Sequence, residues 1–289
     1  MISKIILAGG YNVGDELVLK ASLERDKYEK QFIICYKPKN VIKRFKEYKI
    51  VDAVTLFNFP KNIPKVIKYA LKSRKLEIGG GGMVSYDLRV NFFIFLFKLL
   101  GKKVDFVQAG CVPLNQVNKK KWLRFFTTKI ALKLSTDVSV RDYGSQQILK
   151  DKFNVKSRIW KDAVWTYPMK KPKQRGKRIA VNIKIINTTP KIRQLSEDKI
   201  SWLREILSKM DKKNVEFIYI NPVDKKLIEE RFPNYKKVQM PINVDEFIEK
   251  LATYGTLISF RKHPFWIAQR LGLKTIPVVI DKSIGWKNK

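Results

Sequence analysis

One histidine, two cysteines and 26 acidic residues among 289 are low counts, and each shortage closes off a kind of chemistry. Cys35 and Cys111 lie far apart, each in an apolar, strand-like run, with no Cys-x-x-Cys pair and no Cys/His cluster. A structural zinc site or a disulfide framework is therefore not expected; two buried thiols in a reducing compartment are. Long apolar runs are missing too, since none approaches the ~20 residues of a membrane span. The apolar start, Met1 to Gly10, is too short for a signal peptide and reads as a first buried strand. The longest apolar run, Phe92 to Leu100, has the length of a core helix. The expected location is cytoplasmic; in an alternative reading the run joins Trp122 to Phe126 as a face for anionic lipid, which adds peripheral association at the inner membrane face.

Against the 26 acids stand 60 Lys and Arg, a formal charge of +34. Most cations then lack an acidic neighbour, and the surface carries a positive field that draws polyanions. The lysines are spread along the chain without a recognition module, so nucleic acid is not expected as a specific partner; an anionic glycan or lipid is. Hydrophobic residues at 45% and aromatics at 12% supply a sizeable core. The length suits two domains of ~100–200 residues each.

Short apolar runs alternate with helical stretches, the pattern of a parallel sheet covered by helices. Strands are predicted at 4–8, 31–35, 53–56, 76–78, 104–108, 138–140 and 157–159, with helices such as 16–23 and 144–150 between them. Lys170 to Lys177 interrupts the alternation with charge, Pro and Gly, as a linker does. Beyond it come strands at 178–184, 215–220, 256–260 and 275–280. A helix is predicted at 196–210, with Ser196 as cap and Ile200, Leu203, Ile206, Leu207 and Met210 at helical spacing. Another starts at Asn243, with Glu246 three residues on. The expected fold is α/β: Rossmann-like domains at 1–169 and 178–289 joined by a linker at 170–177, their parallel sheets facing a cleft.

The lone histidine, His263, sits in Ser259-Phe260-Arg261-Lys262-His263-Pro264, where a predicted strand hands over to a helix. Pro favours the first helical position, so His263 is expected to be the N-cap, among free amide groups that attract phosphate or carboxylate. Imidazole exchanges protons near neutrality, and cations flank it here. Earlier, Gly9-Gly10-Tyr11-Asn12-Val13-Gly14-Asp15-Glu16 follows the first strand without the Gly-Lys-Ser/Thr of a P-loop or dinucleotide spacing. Asp15 and Glu16 stand where carboxylates bond sugar hydroxyls. Gly79 to Gly82 after the fourth strand reads as a ligand-facing loop.

Together these segments resemble the polysaccharide pyruvyl transferase family. Gly10 to Glu16 is similar to its amino-terminal signature, Ile78 to Met83 to its glycine-rich loop with Asp87 near the following acid, and Gln108 to Leu114 to its Gln-Gly-x-Gly-Pro segment. Ser139-Val140-Arg141-Asp142, Asp162-Ala163-Val164 and Arg261-Lys262-His263 match later elements, followed by Gly272, Pro277 and Asp281-Lys282. Cys111 and Val112 depart from the pattern, as do Ala163, where the family has proline, and Lys262 in place of the family's usual leucine. The resemblance implies a GT-B-like architecture, with the acceptor on the amino-terminal domain and the donor on the carboxy-terminal one. It also implies transfer of pyruvate from phosphoenolpyruvate onto a sugar of a cell-surface or envelope polysaccharide as a ketal. His263 becomes the catalytic acid, with Arg141 and Arg261 as donor-binding cations; Lys262, flanking His263, is expected beside them as a further donor-binding cation of this sequence. Asn12, Gly14, Glu16, Gly80, Gly81, Gly82 and Asp87 become acceptor or loop residues. Asp15, Glu16 or Asp87 takes the hydroxyl proton, Asp15 being the first choice, and no metal or redox cofactor is required. Alternatives on the same fold are a nucleotide-sugar glycosyltransferase and a non-catalytic polyanion-binding protein.

Overall fold

A computed structural model of the protein describes residues 1–8, 13–35, 38–56, 59–80, 84, 87–111, 121–173, 176–184 and 190–279. The chain divides into two compact units, Met1–Thr166 and Tyr167–Lys289.

Among its described residues the first unit builds a seven-stranded parallel sheet. Its strands are β1 (Ile2–Ala8), β2 (Gln31–Cys35), β3 (Ile50–Thr55), β4 (Ser73–Gly79), β5 (Lys103–Ala109), β6 (Asp137–Val140) and β7 (Arg158–Ile159). Their order, β3-β2-β1-β4-β5-β6-β7, reverses the direction of strand addition between β1 and β4. The connecting helices are α1 (Val13–Arg25), α2 (Pro38–Arg44), α3 (Phe59–Leu71), α4 (Leu88–Leu99), α5 (Lys121–Leu134), α6 (Tyr143–Ile148) and α7 (Ala163–Thr166). Every residue of β1 and β2 is buried, as expected of central strands covered on both faces. Alternation sorts them: Ile5, Leu7, Phe32 and Ile34 share a core with Val66 of α3, Phe93 and Phe97 of α4 and Leu132 of α5. Ile6, Ala8, Ile33 and Cys35 face the other way, against Leu19 and Leu23 of α1 and Val41 of α2.

Lys4 breaks the apolar pattern of β1 and is fully buried. Its ammonium reaches the Ser22 carbonyl at 2.7 Å, Asp26 at 2.7 Å and Glu77 at 3.4 Å. Glu77 also accepts from Ser22 and Arg25. Burial alone would raise the Glu77 carboxyl, but these cations outweigh it and hold it low. Such a network offsets the cost of taking charge out of water only when every member is paired.

The second unit carries a five-stranded parallel sheet, β8 (Ile179–Asn182), β9 (Val215–Tyr219), β10 (Lys236–Gln239), β11 (Thr256–Ser259) and β12 (Lys274–Pro277), in the order β10-β9-β8-β11-β12. Its helices are α8 (Pro190–Ser208), α9 (Pro222–Arg231), α10 (Val244–Ala252) and α11 (Lys262–Leu271). Val181, Ile200, Leu203, Leu207, Phe217 and Ile258 pack between sheet and helices. Asn243 caps α10 by accepting from the Asp245 and Glu246 amides. Ser196, expected as a cap, lies inside α8 and is fully buried. The helix begins at Pro190, which suits a first position because the N–H it lacks has no helical partner there. The polar edge strand β10, Lys-Lys-Val-Gln, escapes a search for apolar runs, and its lysines blunt an exposed edge. Both cysteines are free thiols, Cys35 buried and Cys111 half-buried.

Candidate functional site

Ligands bind parallel sheets at the carboxyl ends of the strands, where strand order reverses, because helix amino termini converge there. In the second unit that place lies between β8 and β11, which pair Asn182 with Ser259. The Ser259 hydroxyl accepts from the Arg261 amide and donates to the Arg261 carbonyl, locking the turn out of β11. Arg261, with extended backbone, occupies the N-cap position of α11. His263 therefore stands in the first turn of α11 and is not the N-cap. Pro264 sits two residues deeper than expected, at the third helical position, which the first turn tolerates because its amides need no helical acceptor. His263 is half-buried and meets the Trp266 ring edge-on at 5.7 Å, and the Lys262 ammonium lies 5.8 Å from the centre of that ring.

A residue that sequence reasoning missed fixes the guanidinium beside this histidine. Asp224 places both carboxylate oxygens 2.7 Å from Nη2 of Arg261. It belongs to the first turn of α9, where its own amide donates to the capping Asn221. Asn221-Pro222 is a legible helix start, but nothing in the sequence aims Asp224 at a residue 37 positions away. The Arg261 side chain is 19% exposed. Its Nε and the Oδ1 of Asn182 are buried without a hydrogen-bond partner among the described residues. One donor and one acceptor thus stand unsatisfied at the ends of neighbouring strands, where each would be expected to find a partner.

In the first unit, Arg141 follows β6 and lies 3.5 Å from Asp142 and 3.5 Å from Asp162. Both aspartates also start helices: Asp142 accepts from the Ser145 amide at 2.7 Å and Asp162 from the Val164 amide at 3.0 Å. Beside them Gln108 adopts φ +52°, a left-handed conformation rare for a side-chain-bearing residue, at an irregularity in the β5–β6 register. Its amide donates to Ser139 and its side-chain NH2 to the Lys161 carbonyl, while Oε1 has no partner among the described residues. A strained, buried amide at the end of a strand is where backbone strain tends to serve a site. Burial pushes the neighbouring Cys111 thiol up to about 12, so it is no nucleophile near neutrality.

The carboxylates proposed for proton transfer are differently placed. Asp15 is half-buried in the first turn of α1. Glu16 is fully buried, and Arg44 of α2 donates to it at 2.5 and 3.1 Å. Burial pushes its carboxyl up despite that arginine. Asp87 caps α4 and pairs with Arg89, whose bonds outweigh burial and hold it low. Of the glycine-rich loops, Gly14 lies in α1, and Gly80, at φ +81°, passes so close to α1 that a Cβ would stand 3.2 Å from Val18. Asn12, Gly81, Gly82 and Asp281-Lys282 lie outside the described residues. Among those described, no group of three His, Cys, Asp or Glu side chains is placed to hold a metal ion.

The pattern that joins these segments is matched by the family model of the polysaccharide pyruvyl transferases over residues 12–265. The chain belongs to that family. No curated protein matches it by sequence. Solved structures similar in fold include the S. aureus MnaA–UDP complex, at 12% identity and TM-score 0.61, covering 95% of this chain and 79% of that one. UDP-GlcNAc 2-epimerase from Methanocaldococcus jannaschii, in complex with UDP-GlcNAc and UDP, shows 15% identity and TM-score 0.60 over 96% and 83% of the two chains. Sucrose-phosphate synthase from Thermosynechococcus elongatus shows 10% identity and TM-score 0.59 over 96% and 81%. The α/β fold with two parallel sheets is thus GT-B-like, and at these identities the likeness is one of fold alone.

Within the family pattern, the structure brings Ser139 to Asp142 together with Asp162 through Arg141, although 21 residues separate Arg141 from Asp162. It likewise ties Gln108 to both neighbouring segments, through Ser139 and Lys161. Glu16 and Asp87, in contrast, spend their charge on Arg44 and Arg89.

Proposed function

We propose that the protein moves pyruvate from phosphoenolpyruvate onto a sugar of an envelope polysaccharide as a ketal. The observation that carries this reading is Arg261, fixed by Asp224 beside the only histidine, at the head of a ten-residue helix. Phosphoenolpyruvate is a small donor with a phosphate and a carboxylate, both suited to a planar guanidinium and to the amides of a helix start. Family membership supports the same donor, and Arg141 is the second anion-binding arginine of the family pattern.

The chemistry needs one group able to carry a proton near neutrality. His263 delivers a proton to the donor's methylene carbon, which becomes a methyl group. The two sugar hydroxyls form two bonds to the second carbon of the donor as its bond to the phosphate oxygen breaks. One hydroxyl proton restores His263 and the other leaves with phosphate. Asp15 is the carboxylate we assign to the hydroxyls, from its place in the family's amino-terminal signature and in the first turn of α1.

Phosphate release from phosphoenolpyruvate in the presence of polysaccharide acceptor tests the reading. His263→Gln and Arg261→Ala are each expected to lower it by at least ~10²-fold; full turnover in both variants removes the proposal. Thermal stabilisation by phosphoenolpyruvate favours this reading, whereas stabilisation by UDP or GDP alone favours a nucleotide-sugar glycosyltransferase on the same fold.

A further inference from the structure

We propose that the outer surface of the α4–α5 helix pair docks the protein on an anionic lipid surface. The inward faces of these helices are settled: Val90, Phe93, Ile94 and Phe97 of α4, with Ala131 and Leu132 of α5, complete the core of the first unit. Phe125 stacks on Phe153 at 4.9 Å, and Asn91 joins the pair by donating to Thr127 and Thr128. None of this uses Trp122, Leu123 or Phe126 of α5, or Leu99 of α4. Trp122 is 74% exposed and Leu99 85%, and the Trp122 and Phe126 rings stack on each other at 5.7 Å.

Cations outnumber acids around this apolar ridge, where Asp87, the cap of α4, is paired with Arg89. Neither helix contains an Asp or Glu, while Lys98, Arg124, Lys129 and Lys133 lie along them, and Lys102 and Lys103 follow α4. Aromatic and leucine side chains flanked by cations match an interface whose acyl boundary is apolar and whose headgroups are anionic. A second copy of this chain suits the face poorly, because docking it there brings two sets of these cations together within a protein of charge +34. The fourteen residues of α5 span about 21 Å, enough to lie on a bilayer, and among the described residues no helix is long and apolar enough to cross one. This surface is independent of the reaction proposed above.

Sedimentation with vesicles tests it. The full chain is expected to pellet with vesicles of equal parts phosphatidylglycerol and phosphatidylcholine and to stay in solution with phosphatidylcholine alone. Trp122→Ser combined with Phe126→Ser is expected to weaken binding by roughly tenfold or more, since burial of two aromatic rings in the interface is lost. Lys129→Glu combined with Lys133→Glu is a second variant outside the core and is expected to do the same by charge. The proposal is overturned if wild-type protein ignores phosphatidylglycerol. It is also overturned if both variants bind like wild type, which would assign binding to the general positive field. A lipid-free dimer that the aromatic variant abolishes overturns it in favour of a second copy.

Discussion

Arg261 illustrates how a single charge becomes useful. A guanidinium mostly out of water needs its charge balanced, and Asp224 balances it from one side, leaving Nε unsatisfied. On the proposed reading the aspartate is a positioning residue that holds the fork in one orientation for an incoming anion. Asp224→Asn keeps the size and the helix but gives up the charge-assisted bonds. It is expected to raise the phosphoenolpyruvate concentration for half-maximal thermal stabilisation about tenfold, equal to ~1.4 kcal/mol, and to lower the unliganded melting temperature as well, because the buried guanidinium loses its balancing charge. An unchanged half-point alongside a normal wild-type response would reduce Asp224 to a structural partner. At this scale the sequence draws attention to His263, Arg261 and Arg141 because they lie in short local patterns. It draws none to Asp224 and Asn182, because their relation to Arg261 exists only once β8, β9 and β11 lie side by side.

Elements explain the glycines. The run after β4 reads as a loop kept bare for a ligand, yet Gly79 and Gly80 also let α1 lie against the end of β4, with Val18 in contact. Gly80 combines this approach with a left-handed backbone. Gly80→Ala is therefore expected to cost about 1–2 kcal/mol in urea denaturation, from the backbone alone, with the Val18 contact adding to it. A stability equal to wild type would show that the loop relaxes freely. Helix starts were the weaker part of the sequence reading, at Ser196 and His263 alike. Both were read as caps from a local polar residue or a following proline, but the first turn accepts Pro at more than one position, and a long helix can bury a serine.

Over the whole molecule, acids are scarce, and two that are buried, Glu77 and Glu216, act as hubs. Glu216 accepts from Arg178 at 3.0 Å, Lys236 at 2.7 Å and Tyr254 at 2.6 Å, joining β9 and β10 to the segments before β8 and after α10. Burial alone would push its carboxyl up, but these donors bring it down to about 2 from an ordinary 4.5. Tyr254 moves upward, through burial first and then the carboxylate it faces. A carboxyl lowered by folding stabilises the protein above its unfolded value and loses that contribution as pH falls through the folded one. Wild-type stability is therefore expected to fall between pH 4.5 and pH 2. In Glu216→Gln the urea midpoint should be lower at pH 7 and the gap to wild type should close across that window. A constant gap would mean that the carboxylate charge adds nothing to the second unit.

The sequence by itself determined the alternation of strands and helices, the strongly basic surface and the family pattern, because periodicity, charge count and short motifs are properties of neighbouring residues. It also placed an imidazole and a guanidinium together at one strand end. Tertiary structure alone decided which cation each of these carboxylates meets, sending Glu16 to Arg44, Asp87 to Arg89 and Asp224 to Arg261. It also decided which aromatics enter the core and which are left outside, since that depends on where α4 and α5 settle on the sheet. Pairing and burial depend on distances across the fold, and residues far apart in the chain meet only after the backbone has closed its sheets.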